Sequence, residues 1–133
     1  MPLEIDFSVI YEAIKGAKEA ISAGAKRGLQ DVLDDWQHES RNVAPIDKGI
    51  LRRNIETEVS GEKFRLNGTI SANAYERGFN YAYYIHEIKG KDFVGRTPGT
   101  IGEFLDEPAR QNEDRWAQQL EKVIQKEVKR RGW

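Results

Sequence analysis

The residues best suited to chemistry are His86 and Glu87, an imidazole next to a carboxylate; a second such pair, His38-Glu39, lies in a long helical pattern. A paired imidazole and carboxylate can serve general acid–base catalysis when the two converge on one proton. Adjacency works against that. Neighbours on a strand face opposite sides, and neighbours on a helix diverge by about 100°. A HExxH zinc motif would need a second His at position 90, which is Gly, and the chain has two His in all. Asp35 and Glu39, with Asp34 alongside, share a helix face that could hold a divalent cation, but such a cage takes about six or more oxygens. A solvated acidic face is the expectation. Asp47 could act as a base, yet its place between Pro45 and Gly49 suits a turn. The expectation is therefore no catalytic residue, no cofactor and no metal.

The stretch from Gly90 to Gly102 lacks both the GxxxxGK[ST] and the GxGxxG spacing of phosphate loops. Its length marks it as a long functional loop, one that orders on contact with a partner. Lys89, Lys91, Phe93, Arg96 and Thr97 are its candidate assembly residues. The cluster Tyr75, Phe79, Tyr81, Tyr83 and Tyr84 could stack nucleobases beside Arg52, Arg53 and Arg77. Alternation of Tyr81, Tyr83 and Ile85 instead gives at least one face to the core. The basic tail, Lys122 to Arg131, is interrupted by Glu127 and suits a helix C-terminus.

The elements that would carry these groups follow from periodicity. Phe7, Ile10, Ile14, Ala17, Ile21, Ala25, Leu29, Val32 and Trp36 recur at helical steps, which predicts one long helix over 1–43, capped by Asp6. At about 50 Å it would outrun the domain, leaving part of its stripe for a partner chain. Gly16, Gly24 and Gly28 within it imply a bend or a close helix contact. Ala44-Pro45 ends the helix. Ile55, Thr57 and Val59 then alternate with Glu56 and Glu58 as a strand, with a turn at Ser60-Gly61-Glu62-Lys63 and a return strand from about Phe64 to Ala74. A further turn at 75–80 and a short strand at Tyr81–Ile85 complete an antiparallel sheet within 44–90. A flexible loop spans 91–103, and a last helix over 104–133 carries Leu105, Ala109, Trp116, Leu120, Val123, Ile124 and Val128, with Pro108 in its first turn.

This order is an α+β fold, and 133 residues make one domain. A net charge of −1 makes whole-molecule attraction to nucleic acid weak, so only a local basic patch could support it. The absence of Cys removes disulfides and thiolate chemistry and fits a reducing compartment. No apolar run suits a membrane helix, and the first residues lack signal-peptide character, so a soluble intracellular domain is expected.

Residues 43–55 and 81–87, Phe104-Leu105 and Pro108-Ala109 follow one another as three segments which together resemble a family of small phage tail proteins that act in head–tail joining or tail completion. Val43-Ala44-Pro45-Ile46-Asp47-Lys48-Gly49-Ile50-Leu51-Arg52-Arg53-Asn54-Ile55 is similar to that family's VAPxDTGxLRxSI segment. Tyr81-Ala82-Tyr83-Tyr84-Ile85-His86-Glu87 resembles its YAxYVxE segment, and Phe104-Leu105 with Pro108-Ala109 its PFLxPA segment. Lys48 stands where the family has Thr, Ile88-Lys89 where it has Gly-Thr, and Glu103 where it has Pro. The resemblance implies a long N-terminal helix on a small curved antiparallel sheet with a C-terminal helix. It also implies a ring, often a hexamer, at the tail end that meets the head. Its partners would be other copies, the tail tube or tail terminator and the head connector, with DNA passing the lumen and no membrane. The location would be the virion, assembled in the bacterial cytoplasm. Pro45, Asp47, Gly49, Leu51 and Arg52 would then be a turn and strand-opening motif. A nucleic-acid module using Arg52, Arg53, Arg77 and the tyrosines is the alternative.

Overall fold

The computed structural model describes residues 2–10, 18–46, 49–62, 65–130 and 132. It is an α+β fold: a long helix near the N-terminus, a small antiparallel sheet and a C-terminal helix. Strand β1 (Glu4–Ile10) comes first, then helix α1 (Lys18–Val43), the short helix α2 (Ile50–Arg53) and the hairpin β2 (Ile55–Glu62) and β3 (Arg65–Ala72). The three strands form one antiparallel sheet in the order β1-β3-β2.

The chain start corrects the sequence reading. Residues 4–10 are a strand, so Asp6 is paired opposite Thr69 and caps no helix. Leu3, Ile5, Phe7 and Val9 alternate with Glu4, Asp6 and Ser8, a period of two that the helical steps through Phe7 and Ile10 obscured. Ile14, Gly16 and Ala17 lie outside the described residues. With 26 residues, α1 is about 39 Å long. The described part of its stripe, Ala25, Leu29, Val32, Leu33 and Trp36, is buried within the chain.

One face of the sheet carries Ile55, Leu66, Ile70 and Ala72, which are buried in the same core as α1. The other face is polar. Register places Glu4, Ser71 and Glu56 in one row across the strands and Asp6, Thr69 and Glu58 in the next, with Ser8, Asn67 and Ser60 beyond. This is the one-side-wet pattern of an antiparallel sheet.

Helix α4 (Asp106–Arg130) lies along α1 and leaves the sheet to it. The two helices approach closely at glycines: a Cβ on Gly24 would stand 2.9 Å from the Ile124 Cα, and one on Gly28 would stand 2.7 Å from Leu120 Cδ1. Two tryptophans lock the pair. Their rings sit 5.7 Å apart, Trp36 Nε1 donates to the Leu105 carbonyl at 2.8 Å, and Trp116 Nε1 to Asp35 at 2.6 Å. Arg115 also donates to Asp35, so that carboxylate is a helix–helix tie and not part of a solvated face. Glu127 is buried beside Gly24 between Arg27 and Arg130, at 2.7 and 2.6 Å.

The aromatic run is helical and not a strand, a second correction. The two-residue strands β4 (Tyr75–Glu76) and β5 (Phe79–Asn80) pair around Arg77 and Gly78, both at positive φ. Helix α3 (Tyr81–Tyr83) follows, runs into a π-helical turn at Tyr84–Lys89, and ends in a single 3-10 turn at Gly90–Asp92. Asn80 starts the helix by accepting from the Ala82 and Ala74 N–H groups. Ala82 and His86, four residues apart, are the buried positions, a helical spacing that the tyrosine alternation hid.

Candidate functional site

The described part of the segment after α1 is held by its own backbone and two arginines. Gly49 adopts φ 72, where a side chain would be strained, and its N–H donates to the Ile46 carbonyl at 2.6 Å. Leu51 drops into the core, while Arg52 Nε reaches back to the Ala44 carbonyl at 2.8 Å. Arg41 in turn donates to the Arg52 and Ile55 carbonyls. Arg52 therefore closes α2 and clasps the turn; it does not open β2, which begins after Asn54. Asp47 lies outside the described residues, as does Lys48.

His86 is the one place where the structure brings together groups that adjacency had set apart. The π turn lets the buried imidazole meet Glu87, with Nδ1 to Oε1 at 2.9 Å. On its other side Nε2 accepts the Asp106 N–H at 3.2 Å, which puts the ring proton on Nδ1, facing Glu87. The Asp106 carboxylate lies 3.8 Å from Nε2. His86, Glu87 and Asp106 thus offer ligand atoms within 4.8 Å of one another. The two carboxylates address opposite ring nitrogens, however, and both nitrogens are already in hydrogen bonds. The arrangement is a cap for the first turn of α4, with the ring edge-on to Phe104 at 5.2 Å. Arg110 completes that corner by bonding Glu103 and Glu107, and its guanidinium holds the Glu107 carboxyl below the usual carboxylate range.

The long loop folds back on itself. The Ile101 N–H donates to the Val43 carbonyl at 2.9 Å, and Thr97 accepts from the Thr100 N–H and hydroxyl. Gly102 is required here, since a Cβ would stand 2.0 Å from the Gly90 carbonyl oxygen. Between these ties Lys89, Lys91, Arg96 and Thr97 are exposed and Phe93 is half-buried.

The loop, the turn and the aromatic helix meet around an open hollow of about 600 Å³, lined by Pro45, Ile46, Tyr81, Tyr84, Ile85 and residues 93–97 and 100. The large apolar side chains that stand most exposed among the described residues are Ile46, Ile50, Tyr75, Phe79, Tyr81, Ile88 and Val94. Ile46, Tyr81 and Val94 line this hollow, Ile50 and Tyr75 line a smaller one that shares Pro45 and Tyr81 with it, and Val94 is 89% exposed. The Phe79 ring packs on Tyr81 at 5.1 Å and Tyr84 at 5.5 Å, and Lys89 Nζ lies 5.8 Å from the Tyr84 ring centre. The tyrosines are thus less buried than their alternation predicts. Val94 went unnoticed in the sequence, and Ile88 was read only as a departure from a motif; the signal was two aliphatic residues amid Lys and Gly, where a water-facing loop has no use for them.

The chain is 24% identical over 99 residues, 73% of its length, to a protein of Pinctada maxima whose name places it provisionally among the beta-hexosaminidases. It spans about 9% of that protein's length. No family model and no solved structure matches the chain.

Proposed function

We propose that this chain is a structural component of the head–tail interface of a tailed phage or prophage, a ring-forming tail-completion or head–tail joining protein that works without catalysis. The observation that carries the reading is the exposed apolar end. Two of the three segments that resemble the phage tail family, 43–55 and 81–87, supply Ile46, Ile50 and Tyr81 to it. The third begins at Phe104, which packs under His86 of the second. An apolar surface gathered from separated segments and left open to water marks a contact surface. His86, spent on capping α4, is consistent with a scaffold. The partners are other copies of the chain, the tail tube or terminator and the head connector, with DNA passing through the ring; the site is the virion, assembled in the host cytoplasm. Deleting the gene from the phage that encodes it should give separate heads and tails, and adding the purified protein should join them. Intact, infectious particles without it would refute the reading.

A second reading, a nucleic-acid module, is favoured by one observation: Tyr75, Phe79 and Tyr81 are exposed next to Arg77 at the β4–β5 tip. Arg53 is exposed, whereas Arg52 is held by Ala44. It requires binding to single strands that weakens by about 0.7 log unit per log of salt for each phosphate contacted. No binding at low salt eliminates it.

A further inference from the structure

Two surfaces of the described chain carry exposed charge of opposite sign. On the open face of the sheet Glu56 and Glu58 of β2 and Glu4 of β1 are exposed, and Asp6 holds the register position across Thr69 from Glu58. Four carboxylate positions thus flank Ser71 and Thr69. Glu4, Glu56 and Glu58 make no ion pair among the described residues, and no described cation stands in these rows. The loop presents the opposite sign: residues 89–100 carry Lys89, Lys91 and Arg96 against Asp92 alone, again with no ion pair among the described residues. The arginine–carboxylate pairs among the described residues lie in the two long helices and the lead-in to α4.

We propose that the basic loop of one copy, Lys89, Lys91 and Arg96, docks on the acidic sheet face of the next, at Glu4, Glu56 and Glu58. The inference rests on the assembly reading above and names the surfaces that assembly uses. Two unlike patches on one chain make a heterologous contact, the kind that propagates around a ring. Complementary charge orients such a contact and rejects like-signed alternatives. The same carboxylates lie on β1 and β2, the two free edges of the sheet, where like charges oppose direct edge-to-edge pairing. Copies are thereby steered from the edges to the loop. Val94 and Ile88 are exposed next to the basic residues in the chain.

The test uses two double variants of the full chain, Lys91→Glu with Arg96→Glu and Glu56→Lys with Glu58→Lys, examined by sedimentation velocity at low salt. All four side chains are exposed, and circular dichroism checks that both variants fold. Each variant alone should associate on the order of a hundredfold more weakly than the natural chain. An equimolar mixture should recover the association, because each reversed loop then meets a reversed sheet. The natural chain should lose its association as salt rises through the screening range. Undiminished association by either variant, or a mixture that fails to recover, overturns the docking while leaving ring assembly standing on other surfaces. A natural chain that stays monomeric at millimolar concentration, and does not assemble on tail tubes, overturns the docking and the ring together.

Discussion

Ser40 lies in the last turn of α1, wholly buried, and its hydroxyl has no hydrogen-bond partner among the described residues. Its carbonyl is occupied, accepting the Ala44 N–H at 2.9 Å, so the helix gains nothing from the side-chain oxygen. A buried hydroxyl without a partner costs its desolvation, and removing it removes that cost. Ser40→Ala should therefore stabilise the fold by about 1 kcal/mol, in line with the penalty for such a group. In thermal unfolding this is a rise of roughly 3 °C for a domain of this size. A fall in Tm would mean that the hydroxyl is satisfied in solution. His86 shows the opposite case: a buried polar group with both nitrogens bonded, whose role is visible only because it reaches the Asp106 N–H from twenty residues away.

The contact between α1 and α4 separates two effects that usually run together. Glycine in a helix costs about 1 kcal/mol relative to alanine, so propensity alone says that Gly24→Ala and Gly28→Ala should both stabilise. Packing says otherwise. The Cβ at 28 meets the end of the Leu120 side chain, which can turn aside, while the Cβ at 24 meets the Ile124 Cα backbone at 2.9 Å and the Glu127 Cβ at 3.0 Å. Overpacking against backbone costs about 1–3 kcal/mol. Gly28→Ala should thus be near neutral, and Gly24→Ala should lose about 1 kcal/mol net in urea unfolding, from the balance of those two costs. Equal stabilisation by both would refute the close approach. These glycines were legible in the sequence, as were the hairpin β2–β3, the end of α1 at Pro45 and the closing helix with Pro108 in its first turn. What failed did so where two periods compete over a short window. Residues 3–9 alternate, yet Phe7 and Ile10 also fit the helical stripe, and only pairing with β3 decides between them. Tyr81, Tyr83 and Ile85 alternate too, and there Asn80, a helix starter, outweighs them. The π turn that joins His86 to Glu87 leaves no mark in local spacing, since it depends on the helix N-terminus that the imidazole reaches.

Leu29, Leu33, Ile70, Phe104 and Leu105 fill the middle, each worth roughly 1.5–3 kcal/mol in burial. No helix among the described residues is long and apolar enough to cross a membrane. The exposed apolar end from Ile46 to Val94 and the unpaired charges of loop and sheet are the features that folding alone does not use. The assembly we propose would give both a purpose, and the account stands or falls on it. The most direct measurement is native mass spectrometry of the purified protein, alone and after mixing with tail tubes that lack it. The account predicts closed oligomers, free or on the tubes, that Val94→Glu, which places a charge in the apolar end, disperses. A monomer that ignores the tubes and retains single-stranded nucleic acid would contradict it.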